Sequence, residues 1–262
     1  MRESSHQLAA LRRRVARLAG HGGQQGSRAR GWLASGHAGF DRALGGGLAV
    51  GRVHEIFAAD ALDAPSAAAF AALMALRVPG GAPLLWLRTA EAARRGGCLY
   101  APGVAELGGD PGRLLLVEAA DARALLTAAN DAARCPGSAA VVVESWGAWP
   151  ALDLTAGRRL ALGARDAGAA LLLLRLGAAP VPSVAETRWA VAAAPSRALE
   201  GDAPGAPAFD LDLLRWRGGP AGGRWRLDWN RDEKSFRGAA LSGAGLSLPA
   251  RRAAEPRGAA AA

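Results

Sequence analysis

The chain is almost without lysine. Lysine and arginine together number 32, yet the only lysine is Lys234, so nearly every fixed positive charge is an arginine. A phosphate-cradling loop, G-x-x-x-x-G-K-[ST], needs a lysine that reaches the β/γ-phosphates, and none lies where such a loop would fall, after Phe57. Cysteine is nearly absent too. Cys98 and Cys135 stand far apart, which excludes a C-x-x-C metal knuckle and a disulfide framework and suits a reducing cytoplasm. No uncharged apolar run reaches the roughly 18 residues that cross a bilayer, so no membrane partner is expected. The opening MRESSHQ lacks the apolar core of a secretory signal. His6, His21, His37 and His54 have neither i, i+4 pairing nor a carboxylate companion, and no G-x-S-x-G motif occurs. No metal site and no catalytic nucleophile are therefore expected.

What is present is arginine, alanine and glycine. A net charge of +9 points to an acidic partner, nucleic acid first, although a GC-rich coding sequence would produce the same bias. Between Gln7 and Ala19, residues Leu8, Leu11, Val15 and Leu18 fall on one helical face with arginines around the rest, which predicts a short amphipathic helix in need of a partner. The glycine-rich HGGQQGSRARG that follows reads as a linker, so residues 1–30 form a first unit.

The next stretch, residues 31–200, alternates strand and helix. Strands are expected at Val53–Phe57, Leu84–Leu87, Leu114–Val117, Val141–Val143, Ala169–Leu174 and Trp189–Ala193, and helices at Ser66–Arg77, Ala119–Arg134 and Ala156–Asp166. The continuous apolar runs suit a parallel sheet buried on both faces, hence an α/β layered fold. In residues 201–248 the period changes to two: Phe209, Leu211 and Leu213 alternate with aspartates, and Trp225, Leu227 and Trp229 alternate with Arg224, Arg226 and Asp228 across a glycine-rich turn. That pattern predicts an antiparallel hairpin whose tryptophans, with Trp216, face inward. Arg215, Arg217, Arg224 and Arg226 would remain for phosphates. Residues 249–262 have too little apolar bulk to fold.

Ser35-Gly36, Phe40-Asp41, Leu44 to Leu48 and Gly51 to Phe57 resemble the segment that leads into the phosphate loop of RecA-type recombinases. The likeness runs from about Ser35 to Leu176 and includes Val141-Val142-Val143-Glu144-Ser145, which looks like the strand that carries an acidic residue near magnesium. The loop itself fails. Where RecA-type proteins have glycines, lysine and threonine, this chain has AADALDAPS, in which Asp60 and Asp63 would repel a triphosphate and Ser66 alone offers a hydroxyl. The lost charge-assisted hydrogen bonds are worth roughly 1.5 to 3 kcal/mol each, so ordinary ATP binding is not expected and no cofactor is assigned. Glu144 then reads either as a vestigial magnesium-side carboxylate or as a polar residue ending a buried strand. Trp146 and Trp149, just beyond it, either stack bases or pack under a loop.

Within the RecA-like proteins the chain resembles the ImuA family, through GFDRALGGGLAVGRVHEIF with its failed loop, VVVESW, ETRWAVAAAPS and the tryptophan-rich hairpin ending in Trp229-Asn230. The resemblance implies a non-catalytic accessory factor of SOS-induced mutagenesis that works with ImuB, a polymerase-like protein, with an error-prone replicative-type DNA polymerase, and with RecA. It also implies that the N-terminal helix docks on RecA or on a second copy of this chain. Contact with single-stranded DNA is a further expectation. Two rivals are a DNA-dependent ATPase with an altered loop and a SulA-type inhibitor of cell division.

Overall fold

The computed structural model describes residues 31–135 and 140–238. The expected helix bearing Leu8, Leu11, Val15 and Leu18 and the tail from Pro249 lie outside the described residues.

The glycine-rich lead-in builds a compact entry to the fold. Strand β1 (Trp32–Leu33) pairs antiparallel with β2 (Leu48–Ala49), and helix α1 (Ala38–Ala43) lies between them in the chain. Gly47 has a φ of +121°, and a Cβ there would stand 2.4 Å from the carbonyl oxygen of Leu33, so glycine is what lets these strands close. Asp41 ties the entry together by accepting from the Ser35 backbone at 2.7 Å, the Ser35 hydroxyl at 2.9 Å and the Gly36 backbone at 3.0 Å. This turn aims Phe40 inward, where it stacks on Trp189 with ring centroids 5.0 Å apart.

The elements that follow are β3 (Val53–Ala58), α2 (Ala64–Leu76), β4 (Leu84–Thr89), α3 (Ala90–Gly96), α4 (Ala101–Glu106), β5 (Leu114–Ala119), α5 (Ala122–Ala133), β6 (Ala140–Trp146), α6 (Leu154–Ala167), β7 (Ala170–Leu176), β8 (Thr187–Ala193), β9 (Ala208–Trp216), β10 (Arg224–Asn230) and β11 (Ser235–Gly238). β3 to β11 form one nine-stranded sheet in the order β11-β10-β9-β8-β3-β7-β6-β4-β5. The run from β8 to β5 is parallel, and β9, β10 and β11 extend it antiparallel. Helix α2 seals one face, where Phe70, Leu73 and Met74 meet Ile56, Val142, Leu172 and Leu174. Helices α5 and α6 seal the other, where Leu125 and Leu160 meet Val141, Val143, Leu171 and Leu173. Covering both faces is what makes the central strands continuously apolar. The result is a mostly parallel, RecA-like α/β sheet flanked by helices.

Some boundaries differ from the expected ones. Ala119 ends β5 instead of starting a helix, because Asp121 accepts from the backbones of Arg123 at 2.9 Å and Ala124 at 2.7 Å and so caps α5 at Ala122. Helix α2 begins two residues before Ser66, since Pro65 fits a first turn that needs no N–H. The expected hairpin forms, is continuous with the main sheet through β8 and β9, and gains a third strand, β11. Its inward aromatics enlarge the α2 face: Trp225 lies edge-on to Phe40 at 5.7 Å, and Trp229 lies edge-on to Phe236 at 4.9 Å. Among the described residues no helix is long and apolar enough to cross a membrane.

Candidate functional site: the loop after β3 and its surroundings

In a parallel sheet the natural place for an anionic ligand is the carboxyl edge, where a helix N-terminus presents unpaired N–H groups. Here that place is the turn from β3 into α2. The backbone of Ala59 donates to the Val191 carbonyl at 2.9 Å, continuing the ladder to β8. A short 3-10 turn, Ala61–Asp63, follows. Asp60 accepts from the Leu62 backbone at 3.2 Å, and Asp63 accepts from the Asp60 backbone at 3.1 Å and, across to β8, from the Ala193 backbone at 2.8 Å. Pro65 removes one more donor from the first turn of α2, and Ser66 sits half-buried in that turn. Two of the loop's backbone donors are therefore met by its own carboxylates, and Pro65 lacks a third, while the first turn of α2 carries no side-chain cap. A second anion would also face the two aspartates without a cation to offset them. Lys234 gives no relief: its carbonyl accepts from Arg77, at the far end of α2, about 20 Å along the helix from the loop.

Glu144 lies in the buried part of β6, which ends at Ser145, and is 4% exposed. One carboxylate oxygen accepts the indole N–H of Trp86 at 2.8 Å and the other that of Trp146 at 2.9 Å. Gly96, at the end of α3, closes over this group, and a Cβ there would stand 3.1 Å from Glu144 Oε1. Both oxygens have donors, an arrangement that fixes two tryptophans in place. Glu91, one turn earlier on α3, instead forms an exposed pair with Arg95 at 2.7 Å.

The remaining sequence candidates are scattered. Trp149 is buried, donates to the Ala122 carbonyl at 3.1 Å and lies beneath Arg175, so its ring is not open to a base. Half-buried Trp146 is held by Glu144. Arg226 makes a two-pronged pair with Asp210 across the hairpin at 2.7 and 2.6 Å, and Arg224 pairs with Asp212 at 2.6 Å. Arg215 donates to the Ser183 carbonyl at 3.0 Å and Arg217 to the Val184 carbonyl at 3.3 Å. These contacts brace the sheet and the strap that runs from β7 to β8, while Arg217, Arg224 and Arg226 stay exposed. Sequence reasoning missed the buried arginines Arg88 and Arg175, whose signal is an arginine interrupting an apolar strand, as in LLWLRT and LLLLRL.

No family model matches the chain. Two curated relatives, each called Protein ImuA and each from a strain of Caulobacter vibrioides, are 36% identical to it over 198 residues, covering 70% of this chain and 77% of theirs. With that identity sustained over most of both proteins, and with a mostly parallel sheet of RecA-like kind, the chain belongs to the ImuA family.

Proposed function

We propose that this protein is a non-catalytic accessory factor of DNA-damage-induced mutagenesis, which supports error-prone translesion synthesis by docking on ImuB, on an error-prone replicative-type DNA polymerase and on RecA. Membership of the ImuA family supports the damage-response setting. The observation that carries the non-catalytic reading is Asp63, whose carboxylate holds the backbones of Asp60 and Ala193 where a phosphate would need free donors. A RecA-like sheet kept without a working phosphate loop suits a protein whose contribution is shape and contact rather than turnover.

Three measurements test this. Titration with a fluorescent ATP analogue should give no saturable signal, and ATP hydrolysis should match a buffer control with or without single-stranded DNA. Turnover that vanishes in Glu144→Ala would overturn the non-catalytic reading. Affinity capture from damaged cells should recover ImuB; recovery of the division machinery in its place would favour the SulA-type rival.

A further inference from the structure

Arg175, near the carboxyl end of β7, is 4% exposed on the face covered by α6. Among the described residues its guanidinium makes no hydrogen bond and no ion pair, and its Nε is buried without a partner. Its guanidinium carbon lies over the Trp149 ring, 5.9 Å from the centroid. Burial pulls its pKa down, opposed by the charge of Glu55 and reinforced by that of Arg188. A buried charge with unused donors is costly unless something supplies the acceptors.

The side chain lines a cleft together with Glu55, Asp153, Gly157, Ser183 and Val184. Neither carboxylate there hydrogen-bonds Arg175. Glu55 accepts from Arg188 at 2.8 Å and from the Ser183 hydroxyl at 2.9 Å, while Asp153 caps α6 by accepting from the Ala156 backbone at 2.7 Å. The roof is the strap between β7 and β8, pinned by Arg188 to the Val181 carbonyl, by Arg215 to that of Ser183 and by Arg217 to that of Val184. The strap sits so close to α6 that a Cβ on Gly157 would stand 3.1 Å from a methyl of Val184. A planar guanidinium with free donors suits a two-oxygen acceptor and disfavours a cation.

We propose that this cleft binds a single oxyanion, a phosphate or a carboxylate, with Arg175 as its two-pronged anchor. The site lies on the α5–α6 face of the sheet, opposite the face sealed by α2, and does not depend on the function proposed above. The test titrates the full chain with inorganic phosphate and, separately, with acetate at constant ionic strength in chloride, reading melting temperature and tryptophan emission. At least one anion should give a saturable rise in melting temperature with a change in emission from Trp149. Saturation at lower phosphate than acetate assigns a phosphate site, and the reverse order a carboxylate site. In Arg175→Met the response should weaken by about tenfold or more, whereas Arg159→Met, exposed on α6, should keep it. Should Arg175→Met fail to fold, Arg175→Lys retains the charge without the fork and should bind measurably more weakly. No saturable response to either anion in the unmodified protein, or an unchanged response in both Arg175 variants, overturns the proposal.

Discussion

Individual residues show how the fold uses polar groups that the sequence left ambiguous. Asp63 is the clearest. Its two bonds, to the backbones of Asp60 and Ala193, join the loop to β8, and charge-assisted bonds of this kind are worth roughly 1.5 to 3 kcal/mol. Asp63→Ala should therefore lower unfolding free energy by about 1 to 3 kcal/mol in urea denaturation, without creating ATP binding, because neither lysine nor glycine cradle is restored. A variant as stable as the parent would remove the structural role of this carboxylate.

His54 carries a pH dependence of definite sign. The Ala49 carbonyl can only accept, so Nε2 bears the ring proton and donates at 2.9 Å. Nδ1 then accepts from the Thr187 hydroxyl at 2.7 Å, and that oxygen accepts from the Trp189 indole at 2.7 Å. A second proton on the ring would meet a hydroxyl already turned toward it, in a site that is 0% exposed, and burial takes the pKa down from 6.5 to about 4. The unfolded chain binds this proton near pH 6.5 and the folded one only near 4, so the contribution of His54 is full above pH 6.5 and is lost as pH falls toward 4. The whole loss is about 3 kcal/mol. Denaturant midpoints from pH 7 to pH 4 should fall for the parent and fall less for His54→Gln; equal slopes would show that other groups carry the acid sensitivity.

At the scale of elements, the strands were legible and the turns between them less so. Val141–Val143 and Ala169–Leu174 declared a sheet buried on both faces, because no solvent-facing residue interrupted them. Short pieces carried too little periodicity to be read: α1 has six residues and β11 four, and each is fixed by contacts remote in sequence. The hairpin was legible through its period of two, including the inward tryptophans, while its continuity with β8 depends on long-range pairing that no local pattern states. The departure of AADALDAPS from the phosphate-loop pattern is plain in the sequence, but the use of its aspartates was not, since the partner donor on Ala193 lies 130 residues away. The hairpin should be a stability element. Trp229 is buried at 3% exposure and also donates to the Leu107 carbonyl at 3.0 Å, so Trp229→Ala should cost about 3 to 5 kcal/mol. Trp32, half exposed, should cost well below that on the same substitution. Similar losses at the two tryptophans in matched denaturant melts would contradict the packing described.

For the whole molecule, the question is which part meets a partner. The nine-stranded sheet has its central parallel strands covered on both faces, and the hairpin arginines expected to meet phosphates also make contacts within the fold. The apolar stripe of Leu8, Leu11, Val15 and Leu18, outside the described residues, is joined to that sheet through the glycine-rich HGGQQGSRARG. The helix that the sequence pattern predicts there would be marginal alone in water, so the proposed docking would lay its stripe into a partner's hydrophobic groove. Burying each leucine contributes roughly 1.5 to 3 kcal/mol, and two charges placed in the stripe remove that and add a desolvation cost. Leu11→Asp combined with Val15→Asp should therefore weaken association with RecA, or with a second copy of the chain, by about a hundredfold or more, while leaving the melting temperature nearly unchanged. The readouts are titration against purified RecA, sedimentation of the protein alone and a thermal melt of the same sample. A helix folded back on its own sheet predicts the reverse pattern, a large fall in melting temperature with association intact, and that result would assign the stripe to the core of the protein rather than to its partner.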